Sequence, residues 1–387
     1  MNQHTVTTTA GLFGRLMGAI KGMIFGLVLF VAAFPILSFN EGYAVKMARS
    51  LGQGAREVAS IAADRVDPAH QGKLVHVSGL ATTSETVTDP LFRVSANAIR
   101  LRRTAEMYQW CETSSTRKSS SAGGGETTHR TYKYNLAWSE RPIDSSSFNN
   151  PAGHENPPMP FQSESHFAGR VTLGAFRLNR SQIEELSGAE PVDASAAVLP
   201  AAIRDRAHPI DSGYETGEPG APQVGDLRVT FSRVPPSEVS LVAKQTGDTF
   251  EPYRANAGGT IQLVEMGLES AQAMFQAAQD RNTLRTWLLR ALGLFVMFFG
   301  LVLLLRPLAT LADIIPVFGS IVRAGTGVLA FLLALCLSLL TIATAWLAFR
   351  PLIGIALLAI AGLTAIAALA LRNRNPRLKS AAATAAR

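Results

Sequence analysis

Cysteine is almost missing from this chain: two in 387 residues, Cys111 in a polar stretch and Cys336 inside an apolar one. That excludes a disulfide framework and any Cys-x-x-Cys metal or redox pattern. Acids are missing from whole regions. Outside residues 40–290 the only Asp or Glu is Asp313, against 10 Lys or Arg. The stretch 40–290 carries 26 basic and 28 acidic residues, so the net charge of +7 arises from the flanks. The polar region has no basic groove with interleaved aromatics, which argues against nucleic acid as a partner. Enzyme signatures are missing too. There is no Gly-x-Ser-x-Gly, and Gly123-Gly124-Gly125 is not followed by Lys-Ser/Thr. His76, His129, His154, His166 and His208 show no ligand spacing, and His154-Glu155 lacks the second His of a helical zinc motif. The pattern predicts no catalytic residue, no cofactor and no metal.

Long apolar runs are present instead. They cover residues 23–39, 287–305 (with Arg290 inside), 324–349 and 352–371. About 20 apolar residues at a 1.5 Å rise cross a ~30 Å hydrocarbon layer, so the chain is predicted to span a membrane four times. Short basic segments set the orientation. Arg15 and Lys21 precede span 1, Arg306 and Arg323 follow span 2, and Arg372, Arg374, Arg377, Lys379 and Arg387 crowd the tail. The positive-inside rule places all three in the cytoplasm. Residues 1–22 are then a cytoplasmic arm, 306–323 an interfacial loop and 372–387 a cytoplasmic tail. Residues 40–286 face the periplasm of a bacterium, or an endoplasmic-reticulum lumen in a eukaryote. Lys46, Arg49 and Arg56 oppose this orientation, offset in part by Glu41 and Glu57. Span 1 runs into Phe39-Asn40-Glu41 with no Ala-x-Ala site, which favours a retained anchor over a cleaved signal. Arginine outnumbers lysine 29 to 7 and alanine is abundant, a bias of GC-rich bacterial genomes.

The fold class expected is a four-span α-helical membrane protein with an α+β extramembrane domain. After span 1 a helix continues from Asn40 to about Ala63, weakened by Gly52 and Gly54. Two β-units follow, about 73–180 and 226–266. The first holds Lys73–Gly79 and a hairpin of Ala98–Thr113 with Tyr132–Trp138, closed by a Ser/Gly-rich tip at 114–128. Ser181-Gln182-Ile183-Glu184 suits a helix start with a capping box. Residues 187–225, rich in Ala, Pro, Gly and acids, predict a surface loop. The second unit turns at Gly247-Asp248. Short strands with glycine turns point to small barrels or OB-like sheets. From Leu268 a helical pattern runs unbroken into span 2.

Asn40-Glu41-Gly42 after an apolar span resembles the transmembrane protein 43 (LUMA) family. Gly72-Lys73-Leu74-Val75-His76, Arg102-Arg103 with Glu106-Met107-Tyr108-Gln109-Trp110, and Tyr132/Tyr134 with Trp138 extend the resemblance. Asn156-Pro157, Gly225-Asp226-Leu227-Arg228-Val229, Leu284-Arg285-Thr286-Trp287 and Arg350-Pro351-Leu352 complete it, in order over roughly residues 15–375. The resemblance implies one span, a large lumenal domain and three further spans. In animals it implies an endoplasmic-reticulum and inner-nuclear-membrane protein that organises complexes with emerin and lamins. It supplies no catalytic residues.

Glu106, Tyr108 and Trp110 share a strand face. They form either a partner or headgroup surface, or a sheet core in which Glu106 pairs with buried Arg102 or Arg103; the core reading is favoured. Asn40-Glu41-Gly42 is expected to end or bend the span-1 helix, with Glu41 beside Lys46 or Arg285. Asp313 is expected to pair at the inner interface with Arg306 or Arg323, in an apolar loop broken by Pro316. Arg350-Pro351 forces a tight hairpin between spans 3 and 4. Small residues along span 4 (Gly354, Ala361, Gly362, Ala365, Ala368) permit close contact within that hairpin or in a homo-oligomer. The leading expectation is a membrane scaffold whose β domain recruits membrane proteins or lipids. A lipid-homeostasis or membrane-stress homo-oligomer is the alternative. A channel or transporter has only Ser338, Thr341, Thr344 and Thr364 for polar lining.

Overall fold

The computed structural model describes residues 3–120, 125–312 and 316–349. Strand β1 (Gln3–Ala10) precedes helix α1 (Leu12–Glu57). Strands β2 (Ala59–Ser60), β3 (Leu74–Thr82), β4 (Thr86–Thr88) and β5 (Ser95–Asn97) follow. The two longest strands are β6 (Arg100–Ser120) and β7 (Glu126–Ser139). Next come β8 (Glu164–Phe167), β9 (Thr172–Leu173), β10 (Phe176–Arg177), helix α2 (Arg180–Glu185) and β11 (Glu190–Pro191). Strands β12 (Ala207–Ile210), β13 (Gly213–Thr216), β14 (Leu227–Val234), β15 (Ser237–Thr246) and β16 (Thr249–Glu251) lead to β17 (Tyr253–Arg254), β18 (Thr260–Ile261) and β19 (Leu263–Met266). Helices α3 (Ala271–Ala312) and α4 (Pro316–Phe349) complete the described chain. Asp313, Arg350, Pro351, the predicted fourth span and the basic tail lie outside the described residues.

Two compact units result. The polar one comprises Met1–Ala10, Ser50–Ser120 and Glu126–Asp280; the apolar one is built on Gly11–Arg49 and the chain from Arg281 onward.

In the polar unit an eight-stranded sheet runs β1-β7-β6-β14-β13-β12, with β8 added to β6 and β11 to β14. A seven-stranded sheet runs β19-β15-β16-β10-β9-β3-β2, and an additional β15–β3 pairing closes five of its strands into a ring. The two predicted β-units therefore do not fold apart. β6 pairs with β14 over eight residues and β3 with β15 over eight, so each sheet takes strands from both. The cause is the shared core: Leu101 and Met107 of β6, Phe231 of β14, Val77 of β3 and Leu241 of β15 bury in one apolar cluster.

Four further differences have local causes. The predicted surface loop 187–225 contains β11, β12 and β13, because β14 offers an edge on which Gly213–Glu215 pair. The hairpin tip is not loose down to residue 114. Thr and Ser keep β6 and β7 in register from Met107↔Ser139 to Ser120↔Glu126, with no proline to break the ladder. The helix after span 1 stops at Glu57 rather than near Ala63, and Ala59–Ser60 pair in parallel with β3. Gly54 in its last turns allows close approach: a Cβ there would lie 2.6 Å from Ile261 Cδ1 and 2.9 Å from Phe275 Cε1. Finally, α2 starts at Arg180 under a capping box made by Asn179 and Gln182, not by Ser181.

Strand β1 was not expected. The sequence places residues 1–22 across the membrane from the β domain, yet Gln3–Ala10 pair antiparallel with Glu126–Lys133 of β7. His4-Thr5-Val6-Thr7-Thr8-Thr9 is an extended, β-branched run that suits an otherwise open strand edge.

Among the described residues three helices are long and apolar enough to cross a membrane: Leu12–Glu57, Ala271–Ala312 and Ala324–Phe349. The unbroken helix predicted from Leu268 into span 2 is present as α3. The predicted interfacial loop is mostly helical. α3 continues past Pro307 to Ala312, and Pro316 opens α4, where a missing N–H costs nothing. Ala33, Leu37, Met297 and Ala334 bury together, with Phe30, Phe34 and Leu294 packed around them.

Candidate functional site

In the apolar unit, Asn40-Glu41-Gly42 gathers the three helices rather than ending one. α1 continues unbroken through these residues. The Glu41 side chain is 1% exposed; Arg290 of α3 donates to it from Nε at 2.6 Å and from Nη2 at 2.8 Å. Trp346 of α4 donates its indole N–H to the same carboxylate at 2.8 Å. The Arg290 guanidinium also lies over the Trp287 ring at 4.6 Å. A carboxylate holding a bidentate arginine and an indole N–H is a satisfied buried charge, the only kind a low-dielectric site tolerates. Of the predicted partners of Glu41, Arg285 instead stacks on the Tyr43 ring at 4.0 Å.

Neighbouring bonds extend the junction. Asn40 Nδ2 donates to the Thr286 carbonyl and Asn282 Nδ2 to the Ala44 carbonyl, each at 3.1 Å. Arg49 Nη2 donates to the Phe349 carbonyl at 2.8 Å, satisfying an orphan acceptor at the end of α4. Gly42 admits the Phe349 ring, since a Cβ there would lie 2.8 Å from Cζ. Further along, α1 and α3 cross at glycine: a Cβ on Gly300 would meet the Phe30 nitrogen at 2.7 Å, and one on Gly26 the Gly300 carbonyl at 2.8 Å. The sequence drew attention to small residues in span 4, and this crossing was missed. The spacing of Gly26 and Gly300 on two apolar runs is its only signal.

In the polar unit the favoured core reading of Glu106, Tyr108 and Trp110 is overturned. The core face of β6 is Leu101, Arg103, Ala105, Met107 and Gln109, and the other face is half-buried. Glu106 lies opposite Arg228 of β14, and Tyr108 opposite Trp138 of β7. Tyr108 and Trp138 rings lie 5.3 Å apart, and the Arg228 guanidinium lies 4.2 Å over Trp138 while its Nε donates to Glu215 at 2.8 Å. The result is an aromatic–cation row across three strands. Arg102 is exposed and pairs with Glu140 at 3.2 Å. Trp110 meets the buried His154 ring edge-on, and His154 stacks on Tyr134 at 4.0 Å.

Arg103 is buried as predicted, but not against Glu106. It pairs with the fully buried Asp89, donates to Glu164 at 3.0 Å and to the Gln162 carbonyl at 3.1 Å, and lies over Phe92. Asp89 also accepts from the Leu91 and Phe92 amides and faces His166. This network clasps the 83–99 segment to the sheet. Asp226 is also internal: it accepts from Thr216 Oγ1 at 3.2 Å and the Gln223 amide at 2.7 Å, closing the turn into β14. His76, seen only as a scattered histidine, is held by Ser60 Oγ at Nδ1 (3.1 Å) and by the Glu269 carbonyl at Nε2 (2.9 Å). Facing a carbonyl, Nε2 carries the proton, and burial lowers the His76 pKa. Among the described residues no group of three or more His, Cys, Asp or Glu is placed to hold a metal ion.

Long apolar helices carrying a largely β extramembrane domain define an integral membrane protein. The family model for transmembrane protein 43 matches residues 107–351. Transmembrane protein 43 of Homo sapiens is 36% identical over 381 residues, covering 95% of this chain and 94% of its own. The Rattus norvegicus protein is 36% identical over 354 residues, 88% of each chain. The Drosophila melanogaster homolog is 31% identical over 357 residues, covering 87% and 90%. The chain belongs to the transmembrane protein 43 family. No solved structure matches it.

Proposed function

We propose that the protein is a non-catalytic, multi-pass membrane scaffold whose β domain recruits other membrane proteins through the outer face of β6, β7 and β14. The observation that carries this is the half-exposed row Tyr108–Trp138–Arg228. Aromatic rings and arginine dominate the energetics of protein interfaces, and here they are held in place by Glu215 and by strand register. Counting 352–371 as a fourth crossing, the positive-inside rule puts the domain on the periplasmic or lumenal side. The ring of five strands supports an OB-like description of the smaller sheet. Partners of the emerin and lamin type are proposed for animal relatives alone.

Proximity labelling tests the proposal, with the labelling enzyme fused to the β domain. Trp138→Ala with Arg228→Ala is expected to remove most protein neighbours found with the native chain, at equal expression. An unchanged set of neighbours would overturn the surface assignment.

A further inference from the structure

We infer that the outer half of the β6–β7 ribbon docks on the headgroups of an acidic phospholipid bilayer. Residues 113–120 and 126–133 hold Arg117, Lys118, Arg130 and Lys133 against one acid, Glu126. Glu126 pairs with Lys118 at 2.9 Å. Arg117, Arg130 and Lys133 are exposed and have no carboxylate partner among the described residues. Over residues 40–290 acids outnumber bases, so this ribbon is a local reversal of the domain's charge. Strand alternation puts Arg117 and Lys133 on one face, Lys118 and Arg130 on the other. Cations on both faces exclude the ribbon from any apolar core.

The rest of the surface decides the occupant. Apart from Tyr132, the other side chains of these two segments are Ser, Thr and His129. A protein partner needs a desolvated aromatic or aliphatic centre, which this ribbon lacks. A phosphate-bearing lipid surface needs only cations and hydroxyl donors, and each Lys or Arg held there contributes about 1 kcal/mol. The chain enters and leaves the β domain through helices long and apolar enough to cross a membrane, so the domain is tethered to a bilayer.

The test uses the full chain in nanodiscs of neutral phosphatidylcholine, mixed with vesicles of phosphatidylcholine alone or with 30% phosphatidylglycerol and floated. Flotation is expected with the acidic vesicles only, and is expected to fall at high salt as exposed charges are screened. Arg117→Gln with Arg130→Gln and Lys133→Gln is expected to weaken it on the order of a hundredfold. Arg117→Lys with Arg130→Lys is expected to keep it. These residues are exposed, so an unchanged Tm checks that the triple variant folds. Trp138→Ala with Arg228→Ala should also keep flotation, which separates this surface from the scaffold face. Equal flotation with neutral vesicles, or no loss in the triple variant, would overturn the inference. So would retention on polyglutamate resin at a salt concentration that abolishes vesicle docking, which would assign the ribbon to an acidic polypeptide.

Discussion

Glu41 is where a single atom matters most. Its carboxylate is the acceptor for both Arg290 and Trp346, so Glu41→Gln leaves a guanidinium buried with no counter-charge. Breaking one partner of such a pair costs about 3–5 kcal/mol, whereas replacing both by apolar groups of similar size is near neutral or stabilising. Thermal unfolding in detergent should show Glu41→Gln strongly destabilised, and Glu41→Leu with Arg290→Met close to the native protein. Equal losses in the single and double variants would refute a paired role. At this scale the sequence was legible in part. It marked Asn40-Glu41-Gly42 and noted Arg290 inside an apolar run, but did not join them. A contact across 249 positions leaves no trace in local pattern, and a salt-bridge partner chosen by proximity in sequence pointed to Lys46 and Arg285. The same blindness misassigned Arg103, whose carboxylate partner Asp89 sits in a short loop that pattern does not bring near.

The elements were more readable than the residues. Apolar runs gave α1, α3 and α4, because a bilayer demands length and composition that few other structures share. The hairpin β6–β7 and the Gly247-Asp248 turn followed from alternation. Strands β11, β12 and β13 did not. At two to four residues they are too short to show a period, and they exist because longer neighbours offer edges. Helix contacts were equally hidden, and the α1–α3 crossing rests on absence of side chains. Gly300→Ala places a Cβ against the Phe30 backbone, which can yield only by moving a helix. The cost of such overpacking is about 1–3 kcal/mol. Gly325 provides the control, since a Cβ there meets nothing within 4 Å and alanine favours a helix. Gly300→Ala should lower the Tm in detergent and Gly325→Ala should hold or raise it. Equal effects would mean that the crossing does not depend on glycine.

For the whole molecule the N-terminal arm sets two demands against each other. Pairing of β1 with β7 puts residues 3–10 on the side of the β domain. A single crossing by α1 puts them on the other. The ribbon cannot reconcile the two by crossing itself, because residues 113–133 contain no apolar run. Magnitudes decide. Eight cross-strand pairs contribute about 2–8 kcal/mol at 0.2–1 kcal/mol each. Ile24, Phe25, Leu27, Val28, Val31 and Phe39 are all more than half exposed on α1. Burying these six in hydrocarbon is worth roughly 9–18 kcal/mol at 1.5–3 kcal/mol each. Lipid is therefore expected to win, and the predicted outcome in a membrane is that the arm leaves β7. Thr5 and Thr131 stand opposite each other with their hydroxyls 3.2 Å apart, which makes the choice measurable. In a chain whose native cysteines are replaced, Thr5→Cys with Thr131→Cys should not cross-link in sealed membranes. An impermeant maleimide should reach residue 131 and not residue 5 from the domain side. After extraction into detergent, oxidation should join the two. A cross-link in sealed membranes would mean that α1 does not carry the arm across, and the orientation proposed for the β domain would fall with it.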